Sequence, residues 1–224
     1  MKLSSNTTMV LKNFATINQN LVIKEGSELL TMSSMKNIVA KATVEENFPK
    51  EIAIYDLNEF LASLSIFKSP VLEFEEQYLT IKEEDQPHKK LTYFYSDPSV
   101  VQSPTKTITM PSEEVKFHLD MNKLLEMKRA AGVIGSPDMV LQKSSGSSSL
   151  LVKDKKNDTA NNYSSDIKTD GDGEYKFFFK VENLKLFDGD YDVKISSKNI
   201  SHFKNDKSNI EYWIALEPES TYSA

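Results

Sequence analysis

Asp56 and Asp120 each end a strand-like run and open an amphipathic one, in the phrases EIAIYDLNEFLASL (51–64) and VKFHLDMNKLLEM (115–127). Carboxylates at matching places could serve an α+β enzyme as acid and base. An acid at a helix start, facing the positive end of the macrodipole, fits a recurring position better. The rest of the chain offers little chemistry. His88, His118 and His202 are far apart and form no metal-binding spacing. There is no cysteine, hence no disulfide framework, cysteine zinc site or thiol nucleophile. Seven glycines make neither GxGxxG nor a phosphate loop; GVIGS (132–136) reads as a helix stop. DGDGE (170–174) lacks the ligand pattern of a calcium loop and reads as a hairpin turn. Sequons begin at Asn6, Asn157, Asn162 and Asn199, and without a secretory route they carry no meaning.

The cations are distributed more tellingly. Lys12, Lys68, Lys123, Lys128, Arg129 and Lys185 fall on or beside four helical segments, while acids such as Glu73, Glu75, Glu76, Glu83, Glu84 and Asp85 crowd strands and loops. Charged residues on an amphipathic helix are usually a solvated face. If the four helices share a surface, it is mildly basic on a body of net charge −6. That net charge alone argues against nucleic acid, yet one surface can differ in sign from the whole.

The elements that must position these residues follow from periodicity. Val10, Phe14 and Ile17 define a first helical face, with Asn6, Thr7 or Thr8 as its cap. Leu57, Phe60, Leu61 and Leu64 define a second, capped by Asn58. MNKLLEMKRAA (121–131) is a third and NLKLF (183–187) a short fourth. Alternating apolar runs between turn residues predict strands through the rest. Asn58, Asn122 and Asn183 share a place in three strand-to-helix phrases, the last being KFFFKVENLKLFD (176–188), and Asn6 stands upstream. Repetition at roughly 50–65 residues points to repeated structural units, although strand, cap and helix also recur by chance in α+β proteins. SDPSVVQSPTKTITMPSEE (96–114) carries three prolines and little helical pattern, so it reads as a linker at about 97–113 between domains 1–110 and 111–224. Residues 153–174 are polar and read as a long, mobile hairpin region. The N-terminus lacks the apolar core of a secretory signal, and no apolar run reaches the roughly 18 residues that cross a membrane. A reducing cytoplasm is the expected setting.

VLKNFATIN (10–18), IAIYDLNEFL (52–61), DPSVVQSPTKTITMP (97–111) and YWIALEPEST (212–221), in that order, resemble the sliding clamp of T4-type bacteriophages, a DNA polymerase processivity factor. The resemblance spans nearly the whole chain. It implies an α+β fold of two similar clamp domains, with helices on the inner side of curved antiparallel sheets, closing into a homotrimeric ring. It further implies a non-enzymatic protein with no cofactor or metal, whose partners are double-stranded DNA, the phage DNA polymerase, a clamp-loader ATPase and possible late-transcription factors, in the cytoplasm of an infected bacterium. Lys12, Arg129 and Lys185 match the family's basic positions; Ser5 and Glu126 stand where the family has basic residues. By similarity, subunits meet at edges near LTYFYS (91–96) and YSSDIK (163–168). Clamp users insert a C-terminal peptide into an apolar pocket, for which Met32, Met35, Val100, Val101, Ile214, Leu216 and Pro218 are the candidates. The competing readings are a carboxylate-dependent α+β enzyme and a ring-forming structural phage protein.

Overall fold

The structure, a computed structural model, describes residues 1–104 and 108–223. Residues 105–107 of the expected linker lie outside the described residues. The chain divides into two compact units, Met1–Thr107 and Ile108–Ala224.

The first unit opens with helix α1 (Ser5–Ile17). Strands β1 (Leu21–Ile23), β2 (Gly26–Met32), β3 (Ile38–Phe48) and β4 (Ile52–Ile54) form an antiparallel array in the order β4-β1-β2-β3. Helix α2 (Leu57–Ser65) follows, then β5 (Pro70–Phe74), β6 (Tyr78–Glu83) and β7 (Gln86–Phe94) in the order β5-β6-β7. One 3-10 turn, Pro98–Val100, begins the linker. Val10, Phe14 and Ile17 are buried, as the i, i+4, i+7 spacing requires, and α1 packs on α2, β2 and β3.

The second unit repeats a strand followed by a helix. Strand β8 (Val115–Leu119) runs into α3 (Met121–Ile134), which packs on β9 (Asp138–Ser144), β10 (Ser147–Lys153) and β11 (Tyr163–Asp166). Strand β12 (Glu174–Lys180) and a 3-10 turn, Val181–Asn183, lead to β13 (Tyr191–Ser196), β14 (Ile200–Asn205), β15 (Ile210–Ala215) and β16 (Thr221–Ser223). The orders are β11-β10-β9-β12-β16 and β15-β14-β13-β8. Helix α3 stops at Gly135, whose φ of 66° is the left-handed conformation that glycine enters without Cβ strain.

Three local expectations are corrected. The caps are not the asparagines. Ser4 accepts from the Thr7 N–H, Asp56 from those of Asn58 and Glu59, and Asp120 from that of Lys123. The recurring Asn6, Asn58 and Asn122 each occupy the second helical position, two residues past the cap. NLKLF is not a helix: after the 3-10 turn, Leu184 and Leu186 are both buried with half-buried Lys185 between them, an extended alternation. Five residues make too few helical bonds to offset nucleation. DGDGE is not a hairpin turn, because β11 and β12 do not pair; Asp170 instead bridges to Lys116 of β8. The hairpin within the polar stretch joins β10 to β11.

Candidate nucleic-acid interface

The solvent faces of the three helices carry few charges. On α1 the exposed positions are Ser5, Met9, Lys12 and Thr16, so Lys12 is the single cation of that face. On α2 they are Asn58, Glu59, Ala62 and Ser65, which leaves that face acidic. On α3 they are Asn122, Leu125, Arg129, Gly132 and Val133, with Arg129 the single cation. A guanidinium or ammonium standing alone on a neutral face can meet a phosphate without a competing carboxylate.

The other cations are committed to varying degrees. Lys68 is exposed beyond the end of α2, and its backbone is held in place because its N–H and that of Ser69 donate to the nearly buried Glu83 carboxylate, at 2.9 and 2.8 Å. Lys123 donates to Ser165 Oγ and pairs with Glu126 at 3.2 Å. Glu126 in turn accepts from the Tyr163 hydroxyl at 2.6 Å. That hydrogen bond, with those from Lys123, holds the Glu126 carboxyl below its ordinary pKa. This tie fastens β11 to α3 and explains why an acid sits at position 126. Lys128 is half-buried; burial pulls its pKa below the ordinary lysine value, against the opposing charge of Asp188. Lys185 is half-buried in the non-helical segment after the 3-10 turn.

Asp56 and Asp120 spend their carboxylates on backbone N–H groups, at 2.9 and 3.1 Å for Asp56 and 2.9 Å for Asp120. His118 faces Asp192 and His202 faces Glu211. Among the described residues no group of three His, Asp or Glu side chains could hold a metal, and no helix is long and apolar enough to cross a membrane.

Of the residues proposed for a peptide pocket, Met35, Val100 and Pro218 are exposed and Met32 is half-buried. Val101 is buried against Val22 and Ala53 in the first unit, and Ile214 and Leu216 are buried in the second. In the first unit Val100 borders a largely polar hollow with Asn18, Gln19, Asn20 and Ser34. A feature that periodicity did not reveal is the groove of α3: Leu125, Arg129 and Val133 line it with Asn162 and Tyr163 beside β11. Leu125 and Val133, which the structure leaves exposed, are the apolar side chains on that face that could have signalled it.

Two antiparallel units, the first with helices α1 and α2 and the second with helix α3 packed on sheet, define the DNA-clamp fold. Solved structures with this architecture include the proliferating cellular nuclear antigen of Entamoeba histolytica, with TM-score 0.68 and 12% identity, covering 96% of this chain and 97% of that one. The PCNA2-PCNA3 complex of Sulfolobus tokodaii matches with TM-score 0.67 and 12% identity, covering 96% of both chains. Residues 2–101 match the DNA polymerase processivity factor family, and residues 116–218 the C-terminal part of the gp45 sliding clamp. The sliding clamp of Vibrio phage KVP40 is 33% identical over 97% of this chain and 99% of its own length. That of Enterobacteria phage T4 is 29% identical over 99% of each. The chain therefore belongs to the sliding-clamp family of T4-type bacteriophages, the DNA polymerase processivity factors.

Proposed function

We propose that three copies close head to tail around duplex DNA, with domains 1–110 and 111–224 as the repeating units and their helices toward the hole. The observation that carries this reading is the sparse charge of the helix faces: Lys12 and Arg129 stand alone among neutral side chains. A ring holds DNA by topology, so its phosphate contacts must be weak and blind to sequence for it to slide. Lys185 adds a third contact and Lys68 a peripheral one. Lys123 and Lys128 contribute less, since Glu126 and Asp188 offset their charges.

The protein acts as a tether for the phage DNA polymerase and performs no catalysis of its own. A clamp-loader ATPase opens the ring, and the site of action is the host cytoplasm. Partners dock a C-terminal peptide whose apolar anchors meet Met35 and Val100, the exposed candidates of the first unit.

Ring closure is supported by two strands that end their sheets, β7 and β11. Such edges invite pairing with another chain. Phe94 on β7 is exposed, and so are Leu125 and Val133 in the groove beside β11. A heterologous contact of this kind closes when its rotation permits. Light scattering tests the assembly: a species three times the 25.4 kDa chain is expected, and a monomer at every concentration would refute it.

A further inference from the structure

The segment 184–190 takes the place of a fourth helix, yet it is firmly held. The backbone N–H of Phe187 donates to the Tyr212 hydroxyl at 3.0 Å, and the Tyr191 hydroxyl donates to the Phe187 carbonyl at 2.5 Å. Both tyrosines are fully buried and pack edge to face, with ring centroids 6.1 Å apart. Burial pushes both hydroxyls well above the ordinary tyrosine pKa, so they remain neutral hydrogen-bonding groups. Two side chains thus satisfy the groups that helical bonds would have satisfied.

The far end of the segment is held equally closely. Gly189 has φ of +141°, and a Cβ there would lie 2.2 Å from Nδ2 of the buried Asn205. Its N–H points at Met121 Sδ, and the Asp190 carboxylate accepts from the Met121 N–H at 3.0 Å, at the start of α3. Leu184 and Leu186 anchor the near end in the core. Lys185 sits between these two anchors.

We propose that Tyr212 and Tyr191 are positioning residues for DNA contact: their hydroxyls fix the 184–190 segment so that Lys185 is presented to phosphate. The inference rests on the reading of Lys185 as a DNA contact. The clasp supplies a rigid extended mount where the preceding repeats use a helix. A rigid mount matters for a weak contact, because ordering a loose lysine at each encounter would consume the small energy that the contact returns.

The test is the salt dependence of binding of the full-length protein to a fluorescent duplex, followed by anisotropy. Each phosphate contact contributes about 0.9 to the log–log slope, or about a threefold change in affinity between about 50 and 200 mM salt. Lys185→Ala should lower the slope by at least that amount. Tyr212→Phe, which keeps the ring and removes only the hydroxyl, should lower it equally, and the double variant should show no further decrease. A Tyr212→Phe protein that melts earlier but keeps the wild-type slope would reduce the clasp to a core feature and overturn the proposal. Additive slope changes would overturn it as well. Should Tyr212→Phe not fold, Tyr191→Phe, which removes the other half of the clasp, carries the same comparison. If Lys185→Ala is silent while Lys12→Ala and Arg129→Ala lower the slope, the proposal fails and the DNA-facing reading stands. If all three are silent, the DNA-facing reading itself fails.

Discussion

Glu59 is the only charged side chain within α2, and it lies exposed on a face that otherwise presents Asn58, Ala62 and Ser65. Glu59→Lys therefore removes an anion and adds a cation at one place in each subunit. If α2 faces DNA, each subunit that reaches a phosphate steepens the log–log salt slope by about 0.9, and the ring as a whole by up to about 2.7. One new contact already changes affinity about threefold between about 50 and 200 mM salt. The fold should tolerate the change. Asp56 accepts from the backbone N–H groups of Asn58 and Glu59, which the substitution leaves in place. The cost is the loss of an acid in the first helical turn, about 0.3–1 kcal/mol from the macrodipole. Tyr93 gives an independent check that the charge has changed locally. Its pKa is pushed up to about 12, chiefly by burial and further by the charges of Glu59 and Asp56, so it should fall in Glu59→Lys. Binding is measured by anisotropy of a labelled duplex across a salt series. Glu59→Gln should give an intermediate affinity with an unchanged slope, since it removes repulsion without adding a contact. The control is Glu75→Lys, on the exposed turn between β5 and β6. Equal slope changes for Glu59→Lys and Glu75→Lys would mean a non-specific charge effect and would refute α2 as a DNA-facing element.

Other expectations concern how the units are held. Glu46 accepts from the Ser4 N–H and the Thr7 hydroxyl at the start of α1. Burial opposes its ionisation, but the hydrogen bonds from Thr7 and Ser4 outweigh burial and depress its pKa. Its contribution is thus present above the unfolded carboxylate pKa of about 4.3 and is lost as pH falls through the lower folded value; Glu46→Gln should cost about 1–3 kcal/mol at neutral pH and flatten the acid limb of the melting curve. Lys180 donates at 2.6 Å to Asp138, which is fully buried. Lys180→Met should destabilise the second unit by about 3 kcal/mol in urea titrations, and adding Asp138→Asn should recover part of it, because the loss comes from stranding a buried charge. Phe94→Asp on β7 should shift sedimentation from trimer to monomer while leaving the circular dichroism spectrum unchanged.

What the sequence made legible were features decided within a few residues. The buried face of α1 followed from Val10, Phe14 and Ile17, and the alternation of β8 from Val115, Phe117 and Leu119. The caps were misplaced by two residues because Asn and Asp are both good caps, and only the extended backbone at Asp56 and Asp120 decides between them. The fourth helix failed because two hydrogen bonds settle the conformation at Phe187, whose N–H donates to the Tyr212 hydroxyl and whose carbonyl accepts from the Tyr191 hydroxyl, and Tyr212 lies 25 positions away. Charge was visible at Lys123 and Lys128, but its engagement was not, since Ser165 and Asp188 are brought to α3 only by the fold. Ile214 and Leu216 were expected in the peptide pocket; burial places both inside the second unit.

Encirclement is tested most directly by loading the protein onto nicked circular plasmid with the proposed clamp-loader ATPase, removing free protein, and cutting the circle once with a restriction enzyme. Retention on the circle and rapid loss after linearisation are expected, because nothing but topology holds a ring with so few phosphate contacts. Equal retention on circular and linear DNA would show that affinity, not enclosure, keeps the protein in place, and would contradict the ring.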